Sequence, residues 1–176
     1  MTRPYFMRSE RLGFGLWTPD DLPLALGLWG DSRVTRLIGG PFSEQQVRQR
    51  LDREVANQEA HGFQYWPIFR LIDDEHVGSC GLRPYAGAEG ILEFGFQLMF
   101  AFWGQGYGWE AGETVIRHAF GALGARGLTA GHHPENEASK RLLCRLGFVR
   151  SGEEFYAPTG LVHPLYTFSE APRAGG

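Results

Sequence analysis

Residues 93–111 read E-F-G-F-Q-L-M-F-A-F-W-G-Q-G-Y-G-W-E-A, and this order constrains the fold more than any other stretch of the chain. Its first part alternates. Glu93, Gly95 and Gln97 fall on one side of an extended backbone, and Phe94, Phe96 and Leu98 on the other. That is the period of a strand with one greasy face and one open face. Gly104, Gly106 and Gly108 follow, leading into a helical pattern that puts Ala111, Val115, Ile116, Ala119, Phe120 and Leu123 inward. Strand, glycine-rich turn and helix start together build an anion site. Glycine lets the backbone come close, and the first-turn N–H groups point at whatever negative group docks there. The pattern predicts a pyrophosphate cradle at this glycine turn.

Three readings compete for the stretch. A plain turn needs no ligand, and the chain is rich in glycine. A dinucleotide site is the second, because residues 106–111 fit G-x-G-x-x-A after a strand. It requires an acidic residue about 20 positions further on, at the end of the next strand. The run 128–131 ends instead in His132-His133-Pro134, and too little chain follows for the rest of a doubly wound sheet. The third reading is an acyl-coenzyme A site.

That third reading rests on a resemblance. F-W-G-Q-G-Y-G-W-E-A at residues 102–111, followed by P-E-N-E-A-S-K-R-L-L-C-R-L-G-F at 134–148, resembles the GNAT superfamily of N-acetyltransferases, in the branch of ribosomal-protein alanine acetyltransferases. The resemblance implies an α/β (α+β) fold with a mixed, mostly antiparallel seven-stranded sheet, four flanking helices and a splayed central strand pair. It implies acetyl-coenzyme A as cosubstrate, no metal, and direct attack by a primary amine of a protein N-terminus or a small molecule. A homodimer would also suit the family. Residue by residue, it assigns the cradle to Trp103 and the N–H groups of Gly104, Gln105, Gly106, Tyr107 and Gly108. It gives the pantetheine arm to backbone groups of Leu98 and Phe100 and to Asn136, and the oxyanion to the Leu98 N–H. Ser139 would meet the coenzyme near its sulfur or phosphates. Where many members carry a tyrosine that protonates the departing thiolate, this chain has Leu143, leaving Ser139 or water for that role. Phe100-Ala101 also replaces the Pro-Glu of the branch. The alternative from another class is a non-catalytic acyl-coenzyme A binder or sensor on the same fold.

Acyl transfer needs the attacking amine to lose a proton, and amines are charged at neutral pH. Glu93, on the open side of the central strand, is the candidate base; its competing reading is a partner for an arginine. Asn136 also reads as a helix cap. His132 and His133 are adjacent and would point in opposite directions along a strand, so no metal is expected there. Trp29, Arg33 and Arg36 border the acceptor site by the resemblance, and Tyr156 and His163 could reach it. Asp20, Asp21, Asp31 and Glu44 on that side would suit a cationic amine.

The rest of the chain reads as one domain over residues 1–168 with a flexible tail at 169–176. A composition 43% hydrophobic and 14% aromatic excludes disorder. A net charge of -3 and a pI near 6.1 offer nucleic acid no basic footprint. Cys80 and Cys144 read as buried thiols of a reducing compartment, and no signal peptide or membrane span is visible, so a soluble cytoplasmic protein is expected. Residues 1–9 read as an irregular lead-in and 10–17 as a first strand. Helices are expected from a Thr18-Pro19-Asp20-Asp21 start to Gly30, over 43–61, over 108–123 and over 135–146. Hairpins are expected at 64–72 with 76–83 and at 148–154 with 161–168.

Overall fold

In the computed structural model, which describes residues 3–170, the alternating segments pair into one eight-stranded sheet. Its strands are β1 (Met7–Arg8), β2 (Leu12–Phe14), β3 (Tyr65–Arg70), β4 (Glu75–Pro84), β5 (Ile91–Leu98), β6 (Gly127–Gly131), β7 (Val149–Tyr156) and β8 (Leu161–Phe168). They lie in the order β1-β2-β3-β4-β5-β6-β8-β7. Every neighbouring pair is antiparallel except β5 and β6, which run parallel. There are eight strands rather than seven because Met7–Arg8, inside the expected lead-in, pairs with β2 through Met7↔Phe14. Two residues are too short to show a period, so only the pairing reveals them. Residues 171–176 of the expected tail lie outside the described residues.

The helices are α1 (Leu22–Trp29), α2 (Ser32–Thr35), α3 (Glu44–His61), α4 (Tyr107–Gly121) and α5 (Glu137–Leu146). The one not expected, α2, is a single turn started by Asp31, whose side chain accepts from the Arg33 N–H. The long helices begin where their caps place them. Ser43 and Gln46 form a reciprocal capping box at α3, and Gly62 ends that helix at a φ of 79°. Thr18 and Asp21 do the same for a 3-10 turn that leads into α1.

Cross-strand register decides which face each helix covers. Trp66, Cys80 and Phe96 stand opposite one another across β3, β4 and β5. With Ile68, Leu82 and Phe94 they form the core under α4 and α5, which contribute Ala111, Val115, Ala119, Leu143 and Leu146. Alternate residues face the other way, where α1 and α3 pack Trp29, Leu28, Val47 and Leu51 into a second cluster. The sheet is therefore sandwiched. On that second side α3 is tied down by Glu54, which is fully buried. Its Oε2 accepts from the Tyr65 N–H at 2.9 Å, and its Oε1 accepts from Arg83 Nε at 2.9 Å.

Two predictions follow from these buried polar groups. Glu54→Gln leaves Arg83 without its anion, so denaturant unfolding should show a loss of about 3–5 kcal/mol; a loss within error of zero would contradict the pairing. His76 is buried against Trp17 and Phe69, and burial pushes its pKa down to about 4. Between that value and the usual 6.5, the unfolded chain binds the proton and the folded one does not. The stability contribution is complete above pH 6.5 and is lost as pH falls toward 4. His76→Gln should flatten the melting temperature across that window, whereas an unchanged slope would assign the acid sensitivity elsewhere.

Candidate active site

The site exists because two central strands stop pairing. β5 and β6 share only Ile91↔Gly127, Leu92↔Leu128 and Glu93↔Thr129. Beyond Glu93, β5 continues against β4 while β6 turns its remaining length to β8. The Met99 N–H donates to the Val77 carbonyl of β4 at 2.9 Å. By the alternation of an antiparallel ladder, the amides of Phe96 and Leu98, past the last β5–β6 pair, then face the β6 side, where no strand meets them. A cleft of about 800 Å³ opens along this gap.

At one end lies the glycine loop. Gly104 and Gly106 adopt φ of 73° and 82°, and Gly106 is the N-cap of α4. Left-handed backbone of this kind favours glycine. No side chain caps the helix, so its first N–H groups are free for an anion. The acid nearest them, Glu110, is turned away: it accepts from Ser9 Oγ, from the Arg11 N–H and from Arg11 Nε, at 2.6 to 2.7 Å. Burial raises its pKa, but these donors outweigh that and keep it below the usual carboxylate range. Arg11 also donates to the Gln105 carbonyl and lies 4.4 Å over the Tyr107 ring, bracing the loop from outside.

The structure gathers most of the residues singled out from the sequence. Leu98, Trp103, Gly104, Gly106, Tyr107 and Gly108 line the cleft, as do Asn136, Ser139 and Glu93. Phe100 and Gln105 do not. The Phe100 ring lies outside, under the Arg33 guanidinium, and the Gln105 side chain donates to the Ala101 carbonyl. The Leu98 carbonyl accepts from Trp103 Nε1 at 2.8 Å, while its N–H faces the gap. Asn136 is the N-cap of α5, accepting from the Ser139 N–H at 3.0 Å, and it faces the cleft as well. Arg141 and Arg145 of α5 also reach the lining. Arg145 lies 4.7 Å over the Trp109 ring in the first turn of α4. Their i, i+4 spacing is visible in the sequence, but its direction only emerges once α5 docks beside α4.

At the other end is Glu93. Arg83 stands directly opposite it on β4, yet the guanidinium turns to Glu54 and packs 4.0 Å over the Tyr65 ring. Glu93 is instead held by the Tyr65 hydroxyl, which donates to its Oε1 at 2.5 Å. Gly95 makes that reach feasible, since a Cβ there would lie 2.3 Å from the Tyr65 oxygen. Burial, and then the Glu93 charge, push the Tyr65 phenol well above its usual pKa, so it stays a proton donor. The second oxygen of Glu93 has no hydrogen-bond partner among the described residues. Tyr65, Arg83 and Glu54 were not expected in the site. Only the register of three strands brings them together.

Nearby, Tyr156, His133 and His163 line the cleft. His163 Nε2 and Thr159 Oγ1 lie 2.8 Å apart, and burial, with His133 and His132 close by, lowers the His163 pKa. His132 and His133 are engaged by their own local backbone, and no group of three potential ligands among the described residues is placed to hold a metal. The acidic shell expected for a cationic amine is not there. Asp21 pairs with Arg3, Asp31 with Arg33 and Glu44 with Arg48, and none of them lines the cleft.

Comparison with known proteins matches this geometry. Residues 11–149 fit the model of the family described as acetyltransferase (GNAT) domain. An N-acetyltransferase of Bacillus licheniformis named p20, itself uncharacterized, is 26% identical over 165 residues, 92% of this chain and 93% of its own. The crystal structure of a GNAT-family acetyltransferase from Bacillus anthracis superimposes with a TM-score of 0.79 at 21% identity, over 93% of this chain and 98% of that one. A ribosomal L7/L12 alpha-N-protein acetyltransferase, solved in complex with coenzyme A, gives 0.75 at 18% identity, over 92% and 95%. The eight-stranded sheet with its parted central pair, and a family match spanning most of its length, place this chain in the GNAT acetyltransferase family, whose cosubstrate is acetyl-coenzyme A.

Proposed function

We propose that the protein transfers an acetyl group from acetyl-coenzyme A to a primary amine by direct attack, with no acyl-enzyme intermediate. The observation that carries this reading is the row of unpaired β5 amides running between an uncapped helix start and Glu93. From Leu98 to Glu93 the strand advances about 17 Å at about 3.3 Å per residue, room for an extended thioester arm to lie in the gap like a missing strand. The diphosphate sits on the first N–H groups of α4, with Trp103 and the loop glycines around it. Asn136 and the Leu98 backbone hold the arm, and the Phe96 N–H, the unpaired β5 amide nearer Glu93, donates to the thioester oxygen as it becomes an oxyanion.

The acceptor enters from the Glu93 end. Its nitrogen attacks the thioester carbon, a C–N bond forms and the C–S bond breaks. The amine's proton passes to the free oxygen of Glu93, directly or through one water, and the coenzyme leaves as a thiolate. Tyr65 contributes by fixing the carboxylate rather than by donating the proton, since its high pKa keeps its own proton in place. Ser139, in the first turn of α5 and facing the cleft, is the group nearest at hand to protonate the thiolate, because Leu143 occupies the next turn.

Two measurements test the reading. Gly106→Val forces a β-branched residue to a φ of 82°; calorimetry should show acetyl-coenzyme A binding weakened at least about tenfold, and unchanged affinity would remove the cradle. Glu93→Gln keeps the acceptor for the Tyr65 hydroxyl and loses only the base. In a thiol-release assay kcat should fall on the order of 10²-fold with coenzyme affinity unaffected. A full kcat would acquit Glu93, and coenzyme binding without turnover of any amine would favour the binding-module alternative.

A further inference from the structure

The charge left over at the acceptor end defines what else the acceptor carries. Arg50, on the inward face of α3, lines the same cleft as Glu93 and Tyr65. Its guanidinium packs 5.4 Å over the Trp29 ring and 4.8 Å over the Phe42 ring. Its Nε is buried with no hydrogen-bond partner, and among the described residues it makes no ion pair. Glu54, four residues on, does not neutralise it, because both carboxylate oxygens of Glu54 are taken by Arg83 and the Tyr65 N–H. The other groups near it are Arg83 and Arg53, which repel it, and the Tyr156 phenol. Desolvation first, and the Arg83 charge second, push the Arg50 pKa down to about 10, the mark of a cation without an anion. Arg36, also in the lining, is exposed and has no partner among the described residues.

A half-buried guanidinium whose Nε is buried without a partner is costly unless something completes it, and a planar fork of donors fits a carboxylate. We infer that the acceptor is a primary amine that also bears a carboxylate, and that Arg50 docks this carboxylate while Glu93 faces the amine. The inference rests on the acyl-transfer reading for its amine and on the Arg50 environment alone for its acid. It reverses the polarity expected from the sequence. Of the acidic residues that would have drawn a cation, Asp21, Asp31 and Glu44 are paired elsewhere and Asp20 does not line the cleft, whereas arginine faces the open space. Glu93 and the exposed Glu154 are among the carboxylates of the lining, and they suit the ammonium end of such a zwitterion.

The test reads binding without turnover. Protein saturated with coenzyme A is titrated calorimetrically with glycine, β-alanine, γ-aminobutyrate and aspartate, each beside its carboxamide. A dipeptide amide beginning with aspartate separates a peptide source from a free amino acid. At least one acid should bind about tenfold to a hundredfold more tightly than its amide partner. Arg50→Gln should collapse that preference to near one, and Arg50→Lys should restore part of it. Arg50→Gln also removes the packing over Trp29 and Phe42, so the deciding readout is the ratio of acid to amide affinity and its partial rescue by Arg50→Lys, which a purely structural arginine would not move. Equal binding of acids and amides by the wild type, or a preference that survives Arg50→Gln, would overturn the inference. Thiol release is then measured separately with acetyl-coenzyme A. An acid that binds through Arg50 but is never acetylated would sink the acetyltransferase reading and leave the carboxylate site standing.

Discussion

After Glu93 and Thr129, β5 and β6 cease to hydrogen-bond, and the rest of the site follows from that break. Unpaired backbone amides in a sheet interior are normally costly. Here each strand remains anchored on its outer side, β5 by β4 and β6 by β8, so the gap can stay open without the sheet coming apart. The core beneath holds it. Phe94 and Phe148 pack ring to ring at 5.4 Å, and Leu128, Leu143 and Leu146 fill the space under the separated strands. The same sandwich sets α4 with its uncapped start at one mouth of the gap and α5 with Asn136 and Ser139 along its side.

Charge is arranged around that gap with equal economy. Arg83 and Glu54 neutralise one another in the interior, which frees Glu93 from the arginine that stands opposite it and leaves the Tyr65 hydroxyl to orient it. Glu110 is drawn outward by Ser9 and Arg11, clearing a negative group from the helix start. Both devices do the same thing: they settle charges that would otherwise compete with ligand, one at each end of the cleft. Arg50 is the exception. It remains unsettled, and that is why it points to chemistry the protein alone does not supply.

The parts of this picture legible in the sequence are those governed by local rules. Alternation over residues 93–98, the glycine run before Tyr107, and the caps at Ser43 and Asn136 each act within a few residues, so pattern suffices to place β5, the glycine loop, α3 and α5. What escaped depends on distance. The two-residue β1 has no period of its own, and the one-turn α2 is too short to show one. Tyr65, Arg83 and Glu93 lie on three strands and meet only through register, with Gly95 as the space that lets them touch. The acidic residues near α1 and α3 looked available because sequence shows charge without showing partners. Arg33 and Arg48 lie close in sequence to Asp31 and Glu44, but the pairing of Arg3 with Asp21 appears only in three dimensions.

The central claim is that main-chain amides in the β5–β6 gap and at the start of α4 are the coenzyme's ligands. Amide hydrogen exchange with and without coenzyme A tests it at the atoms concerned. Phe96, Leu98 and the first-turn residues of α4 should exchange fast in the free protein and become strongly protected once the coenzyme is added, with little change in β7. Slow exchange at these positions in the free protein, or no protection in saturating coenzyme, would contradict the account.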